Sequence, residues 1–316
     1  LPAPPVSQSH SASCFAMPQL ALLLTTVVWG ATFPATKAAL EQISPLSFLF
    51  LRFLLGTLVV CAVLVLMRRA LTTNTAMLRM SVVASSWLFL GYVLQTVGLH
   101  LTTASNSAFI TVLYVVFVPL YLRRLGAHTW VSNGMALVGL WFLVKPAASA
   151  NLGDVLTLGS AAAFAAHIVC LERYTRVTDA VSLFAWQLVL MTVAMLGAMW
   201  WEEPTATMFA PTQVLVVGLV VTGVLATGAF GVQMWAQQLL PAQQVALLFA
   251  AEPAIAAWLA WYFLGENLDA QGWFGSVMIL GGVLLGSWVS GEGAATQATS
   301  VSVRPEGGER GSEVRE

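Results

Sequence analysis

The stretch LLFAAEPAIAAWLAWYFLGE, residues 247–266, is apolar and long enough to cross a lipid bilayer, yet it contains an acid and a proline, Glu252 and Pro253. A membrane-spanning helix needs roughly 20 apolar residues. An acid at mid-bilayer is unfavourable by about 2.5–3.5 kcal/mol on insertion scales, and a proline removes one helical hydrogen bond. Something in the folded protein must offset both residues, and the rest of the sequence indicates what it is.

The composition places most of the protein surface in lipid. Of 316 residues, 58% are hydrophobic and 9% are charged, whereas soluble domains carry roughly a quarter charged residues. A soluble chain of this length could not bury so many apolar side chains. The formal net charge of −1 argues against a nucleic-acid partner. The three cysteines lack the spacing of a disulfide framework or a metal site, so no metal or cofactor is predicted.

Ten apolar stretches are long enough to span a bilayer. They are residues 18–38, 46–67, 80–100, 104–122, 128–146, 152–172, 180–201, 212–236, 241–264 and 268–289. The connecting segments alternate between basic and acidic, and the basic ones contain Arg68, Arg69, Arg79, Arg123, Arg124, Arg173 and Arg176. Because basic loops stay in the cytoplasm, both termini are predicted to be cytoplasmic, in an inner or plasma membrane. Residues 1–17 and 290–316 are polar and are predicted to be disordered tails.

The two halves of the chain carry matching segments. ISPLSFLFLRFLLG (43–56) matches TDAVSLFAWQLVLM (178–191) at an offset of 135, and GLHLTTASNSAF (98–109) matches AQQLLPAQQVAL (236–247) at an offset of 138. Such self-similarity indicates an internal repeat. Five spans is an odd number, so the second copy enters the membrane inverted. The predicted fold is an all-α integral membrane protein, with ten transmembrane helices as two inverted five-helix repeats at 18–146 and 151–289.

Three segments resemble a known family. They are TTVVWGATFPATKAAL (25–40), PLSFLFLRFLLG (45–56) and AEPAIAAWLAWYFLGENLDAQGWFGSVMILGGVLL (251–285). In these segments the chain resembles the EamA type of the drug/metabolite transporter superfamily. The resemblance implies a ten-helix inner-membrane carrier that exports amino acids, metabolites or drugs. The sequence departs from the family at Phe164, where many members have tryptophan, and at His167, where they are usually apolar.

Polar and aromatic residues inside the apolar runs are the candidate site residues. Two interpretations of Glu252 remain open: it carries a proton or binds a substrate amine, or it pins its helix to a neighbour. Arg52 either anchors its helix or binds a substrate carboxylate. The residues predicted to line a cavity are Glu252, Arg52, Trp29, Phe33, Tyr92, Gln95, Tyr114, Phe164, His167, Gln187, Gln233 and Trp235. The predicted hinges are Gly30, Pro34, Pro119 and Pro253.

The predicted function is secondary transport, with export of small metabolites, amino acids or drugs by alternating access. No GxxxxGK[ST] loop is present, so a gradient is the expected energy source, and protons are the candidate coupling ion. A channel or facilitative pore is the alternative. An intramembrane enzyme is less favoured because no catalytic constellation is recognisable and no catalytic residue is predicted. The expected partners are a small-molecule substrate and the bilayer, and the expected state is a monomer or weak dimer.

Overall fold

The computed structural model describes residues 9–123, 126–144, 151–202, 208–254 and 269–302, without the side chains of 9–16, 105, 144 and 287–302. Every regular element in this described part is helical. The α-helices are α1 (Ser9–Ala39), α2 (Pro45–Leu66), α3 (Thr75–Leu101), α4 (Ala104–Thr111), α5 (Tyr114–Leu122), α6 (Ala127–Val144), α7 (Leu152–Tyr174), α8 (Ala180–Ala198), α9 (Gln213–Leu219), α10 (Ala226–Ala236), α11 (Ala242–Phe249) and α12 (Ala270–Ser302). A π-helical segment, Val220–Leu225, joins α9 to α10.

Six helical stretches in the described part are long and apolar enough to cross a membrane. They are Met17–Ala39, Pro45–Leu66, Thr75–Leu101, Leu152–Tyr174, Ala180–Trp201 and Gln213–Ala236. Two further apolar helices, Asn106–Leu122 and Ala270–Gly286, are shorter. The chain is therefore a multi-pass membrane protein, and the C-terminal half of the predicted span 241–264 lies outside the described residues.

The ends of the chain differ from the two predicted tails. Helix α1 already begins at Ser9, and α12 continues to Ser302. No proline lies between residues 270 and 302, so no residue in this range lacks the backbone N–H that continues a helix. Residues 1–8 and 303–316 lie outside the described part.

Helices in equivalent positions of the two repeats run antiparallel. In α2 and α8, the hydroxyls of Thr57 and Thr192 are 2.8 Å apart, and these two residues are separated by the repeat offset of 135. The end of α8 lies beside the start of α2, because the carboxylate of Glu202 accepts a hydrogen bond from the backbone N–H of Leu46 at 2.8 Å. Two equivalent residues can touch each other only where they lie on the symmetry axis that relates the repeats. Because α2 and α8 are equivalent and antiparallel, this axis is perpendicular to both helices. This is the geometry of an inverted repeat.

A second contact on the axis joins α6 to α12. A Cβ atom on Gly139 would lie 2.5 Å from the carbonyl oxygen of Gly275, and one on Gly275 would lie 2.5 Å from the carbonyl oxygen of Gly139. Gly282 meets Ser132 further along, so these helices are also antiparallel. Small residues allow helix backbones to approach this closely in a membrane.

Two equivalent helices are broken near their middle. Helices α4 and α5 are separated at Val112 and Leu113, and α11 is separated at Ala250 and Ala251 from a helical turn that begins at Glu252. The sequence predicted a single span at each place, with a hinge at Pro119 in the first and at Pro253 in the second. The two breaks stand at the same positions of the repeat, 138 residues apart. Irregular backbone inside a membrane is tolerated where it is covered by protein or lines a cavity.

The predicted hinge prolines have different surroundings. Pro119 has no N–H for the carbonyl of Val115, and the side-chain Nδ2 of Asn133 donates to that carbonyl instead at 2.7 Å. Pro34 is exposed, and α1 continues through Gly30 and Pro34 without a break. A hinge role for these residues and for Pro253 stays a prediction.

Candidate functional site

A cavity lies where the two repeats meet, next to both helix breaks. It contains about 650 Å³ of unoccupied space, counting the part open to solvent. Most residues predicted to line a cavity do surround it: Trp29, Phe33, Tyr92, Gln95, Tyr114, Phe164, His167, Gln233 and Glu252. A binding role for these residues stays a prediction, but the structure brings them together from five helices and the turn after α11.

The cavity wall repeats itself. With the exception of Leu88, its residues form pairs separated by one of the two repeat offsets, 135 or 138. The pairs are Trp29/Phe164, Thr32/His167, Phe33/Ile168, Tyr92/Phe230, Gln95/Gln233, Thr111/Phe249 and Tyr114/Glu252. Each repeat therefore supplies the same positions to one shared cavity, which lies on the axis that relates the repeats.

This pairing also identifies what sequence reasoning missed. Thr32, Leu88, Thr111, Ile168, Phe230 and Phe249 line the cavity but were not predicted to do so. Short polar and plain apolar side chains give no signal alone. The repeat offsets, applied to residues that were predicted, point to three of them: Thr32 from His167, Ile168 from Phe33 and Phe230 from Tyr92.

Glu252 opens the helical turn that follows the break after α11. Its side chain is 8% exposed and forms part of the cavity wall. None of the described residues donates a hydrogen bond to its carboxyl group. Both predicted roles of Glu252, in the cavity and as a pin between helices, stay predictions.

Arg52 is near the cavity but does not line it, which corrects its predicted place. The side chain is buried, and its guanidinium carbon lies 4.6 Å from the ring centroid of Tyr92, a residue of the wall. Tyr92 in turn makes edge contacts with Phe53 and Phe164 at centroid distances of 5.0 and 5.2 Å. A cation over an aromatic face is attracted to the ring. Arg52 therefore holds Tyr92 in position from behind.

Gln187 was also predicted to line the cavity, and the structure places it one layer outside. It is fully buried, and its Oε1 lies 2.8 Å from Nε2 of His167. The Nε2 of Gln187 donates to the carbonyl of Leu183 at 3.3 Å, so its Oε1 acts as the acceptor. We assign the proton of His167 to Nε2 on this basis. Gln187 thereby fixes the orientation of a wall residue.

The prediction for Trp235 is wrong. Its side chain is 41% exposed on the outside of α10, whereas Gln233 on the same helix lines the cavity. Two residues along an α-helix are separated by about 200° around its axis, because one turn takes 3.6 residues. Trp235 and Gln233 therefore face opposite directions, and the ring of Trp235 faces lipid.

These features define a class: a multi-pass helical membrane protein of two repeats with a partly open cavity between them. The chain matches the EamA-like transporter family over residues 17–145 and again over residues 151–288. It belongs to that family, as the resemblance predicted, and general transporter function follows from the membership.

Individual relatives agree. An uncharacterized transporter of Archaeoglobus fulgidus is 29% identical over 272 residues, which cover 84% of each chain. The uncharacterized transporter YoaV of Bacillus subtilis is 23% identical over 283 residues, covering 85% of this chain and 96% of the relative. A solved crystal structure aligns with a TM-score of 0.71 at 17% identity over 89% of this chain and 98% of its own, which shows a shared fold. The names of these relatives point to a transporter rather than an enzyme.

Proposed function

We propose that this protein is a secondary carrier with ten membrane-spanning helices that exports small organic solutes by alternating access, with both termini in the cytoplasm of the cell membrane. The observation that carries the proposal is the paired cavity wall, in which equivalent residues of two antiparallel repeats surround one shared cavity. Carriers built from inverted repeats bind their solute at such an interface, near the middle of the bilayer.

The repeat explains how access alternates. Two copies of one fold that face opposite sides of the membrane can exchange their conformations. Each exchange closes the cavity on one side and opens it on the other. The breaks at Val112–Leu113 and Ala250–Ala251 place irregular backbone beside the cavity, where such a rearrangement needs the least disruption of helical hydrogen bonds.

Glu252 is the proposed coupling group. A buried carboxyl that no described residue donates to can accept a proton from one side of the membrane and release it to the other. Export of a solute in exchange for protons then needs no nucleotide. The indole N–H of Trp29, which is buried and has no partner among the described residues, supplies one further contact for a bound solute.

Two experiments test this proposal. Metabolite and drug profiling of cells with and without the protein shows which solutes it moves, and an unchanged set of external solutes contradicts export. Purified protein in proteoliposomes should then show saturable counterflow of such a solute, whereas non-saturating ohmic currents in planar bilayers support the channel alternative.

The proton role has a test of its own. Glu252→Gln should remove the pH dependence of solute flux, because the amide cannot exchange a proton. Trp235→Phe is the matched control, since this side chain faces away from the cavity. A Glu252→Gln variant with the pH profile of the wild type contradicts proton coupling through this residue.

A further inference from the structure

We infer that the cavity selects monovalent organic cations with a flat aromatic body, and that such a cation competes with a proton for Glu252. The inference deepens the proposed function and rests on it, because it assigns a substrate class to the same site. The argument depends on the charges in the wall, the rings that surround them and the missing partner of the carboxyl.

Among the described residues, the wall contains one carboxyl group and no permanently cationic side chain. Arg52, the nearest basic residue described, contacts the ring of Tyr92 and is not part of the wall. Residues 255–268, which continue the chain after Glu252 beyond the described part, contain no lysine or arginine. A solute carboxylate would therefore lose its water without gaining a positive partner, which is strongly unfavourable.

Aromatic rings dominate the rest of the wall. Tyr92 makes an edge contact with Phe164 at 5.2 Å between ring centroids, and Phe230 lies 5.7 Å from the ring of His167. Trp29 and Tyr114 contribute two further rings, both from the first repeat. The faces of such rings attract cations, most strongly when water is excluded, and they also stack on flat apolar bodies.

The carboxyl of Glu252 has no donor among the described residues, so a proton or the solute must balance its charge. A bound cation and a bound proton then exclude each other. The other charged or titratable groups around it are Tyr92 on α3, Tyr114 on α5, His167 on α7 and, behind Tyr92, Arg52 on α2. Protonation of His167 would also repel a cation, so its effect must be separated from that of Glu252.

A matched set of indoles tests the charge preference on the unaltered protein. Tryptamine and N,N,N-trimethyltryptammonium are cations, tryptophan is a zwitterion, indole-3-acetate is an anion and 3-ethylindole is neutral. Equilibrium dialysis of tritiated tryptamine with the detergent-purified protein, displaced by each compound, gives their relative affinities. We expect the two cations to bind at least about tenfold more tightly than the other three. Equal binding of tryptophan and tryptamine overturns the inference.

The pH dependence tests the competition. N,N,N-trimethyltryptammonium does not titrate, so weaker binding at lower pH must come from the protein. This loss should persist in His167→Gln and in the control Trp235→Phe, and Glu252→Gln should bind weakly at every pH. A pH dependence that disappears in His167→Gln overturns the role of Glu252. Because the indole comparison uses wild-type protein, it decides the charge preference even if Glu252→Gln fails to fold.

Counterflow separates the inference from the proposed function. Cation binding without counterflow of any solute in proteoliposomes contradicts the carrier function and leaves the cation site standing. Saturable counterflow of an anion or a zwitterion, with no displacement by the cationic indoles, leaves the carrier function standing and overturns the cation site.

Discussion

The two walls of the cavity occupy the same positions in their repeats but differ in chemistry. Where the first repeat has Tyr114, the second has Glu252, and where the first has Thr32, the second has His167. Gln95 and Gln233 are unchanged between them. The duplication explains the shape of the cavity, since both walls use one backbone plan. The carboxyl group of the cavity comes from sequence divergence between the repeats, and it lies in the second repeat.

Moving the acid across the axis is the strongest test of this comparison. Glu252→Tyr gives both walls a tyrosine and should reduce binding of a cationic indole by about 10- to 150-fold, the loss expected when a contact to a charged group worth about 1.5–3 kcal/mol disappears. Adding Tyr114→Glu returns one acid to the equivalent position. If the walls are equivalent, the double variant recovers most of the lost affinity, measured by equilibrium dialysis.

The variants must be compared at equal folding quality. Size-exclusion chromatography in detergent checks that the single and double variants are monodisperse. A well-folded double variant that binds as weakly as Glu252→Tyr contradicts the equivalence of the two positions and shows that the second wall has a geometry of its own.

The contact of α6 with α12 on the axis gives the next largest effect. Gly139→Ala places a Cβ atom 2.5 Å from the carbonyl oxygen of Gly275 and 2.7 Å from the backbone nitrogen of Ile279. Backbone atoms cannot rotate away, so the helices must separate, and overpacking of this kind is unfavourable by about 1–3 kcal/mol. The thermal midpoint in detergent should fall by several degrees.

Gly134 on the same helix provides the control, because a Cβ atom there meets nothing within 4 Å. Gly134→Ala should leave the midpoint unchanged or raise it, since alanine favours a helix over glycine by about 0.5–1 kcal/mol. If the two variants melt alike, the close approach of α6 to α12 is wrong.

The sequence predicted the helical two-repeat architecture because the features that indicate it recur or accumulate along the chain. Apolar length, basic loops and the offset between repeats all follow from composition along the chain, and the acid at 252 is conspicuous in an apolar run. The break at Ala250–Ala251 is marked in the sequence by Pro253, which leaves the carbonyl of Phe249 without its helical donor. The break at Val112–Leu113 was missed because both residues occur in ordinary helices, so tertiary contacts decide the conformation there.

The predicted positions around the cavity agree with the structure where depth in the membrane decides them and disagree where side-chain direction does, and the binding roles stay predictions. Burial of a polar group can be estimated from its place in an apolar run. Whether Trp235 faces the cavity depends on how α10 is rotated about its axis. Whether Arg52 reaches the cavity depends on whether a ring, here that of Tyr92, lies between the guanidinium and the cavity. Those facts come from helix packing, which the apolar pattern of an almost uniformly hydrophobic helix does not specify.

A smaller difference between the repeats lies at Lys37. Its ammonium donates to three carbonyl oxygens at the C-terminus of α3 at 2.7–3.1 Å, those of Leu99, His100 and Thr102. The equivalent residue of the second repeat, 135 positions later, is the acid Glu172. Only the first repeat therefore ties its first helix to the end of its third with an ammonium. Lys37→Met should destabilise the protein by about 1 kcal/mol, because hydrogen bonds to a partly exposed cation are modest.

Hydrogen exchange measures where this loss falls. The amides at the end of α3 should exchange faster in Lys37→Met, whereas Glu172→Gln, the matched change in the other repeat, should leave them unchanged. Equal exchange at the end of α3 in Lys37→Met and the wild type contradicts the tie.

The smallest expected effect comes from the helix starts of α2 and α8. The N-caps Ser44 and Asp179 are equivalent, 135 residues apart, but Ser44 makes no side-chain cap and Asp179 accepts from the backbone N–H of Ser182 at 3.1 Å. Burial alone would raise the pKa of the Asp179 carboxyl, but hydrogen bonds from Ser182 and the charge of Arg69, 2.8 Å away, outweigh it and lower the pKa below 3.8.

A lowered pKa fixes the sign of the pH effect. Asp179 contributes stability above the ordinary aspartate value of 3.8 and loses it as the pH falls through its lower folded value. Asp179→Asn should therefore be less stable than the wild type near neutral pH, by less than about 1 kcal/mol because the ion pair is partly exposed. The difference in thermal midpoint should shrink on acidification. A difference that persists at about pH 2 would mean that the side chain stabilises α8 through its shape and neutral hydrogen bonds, and that its charge contributes nothing.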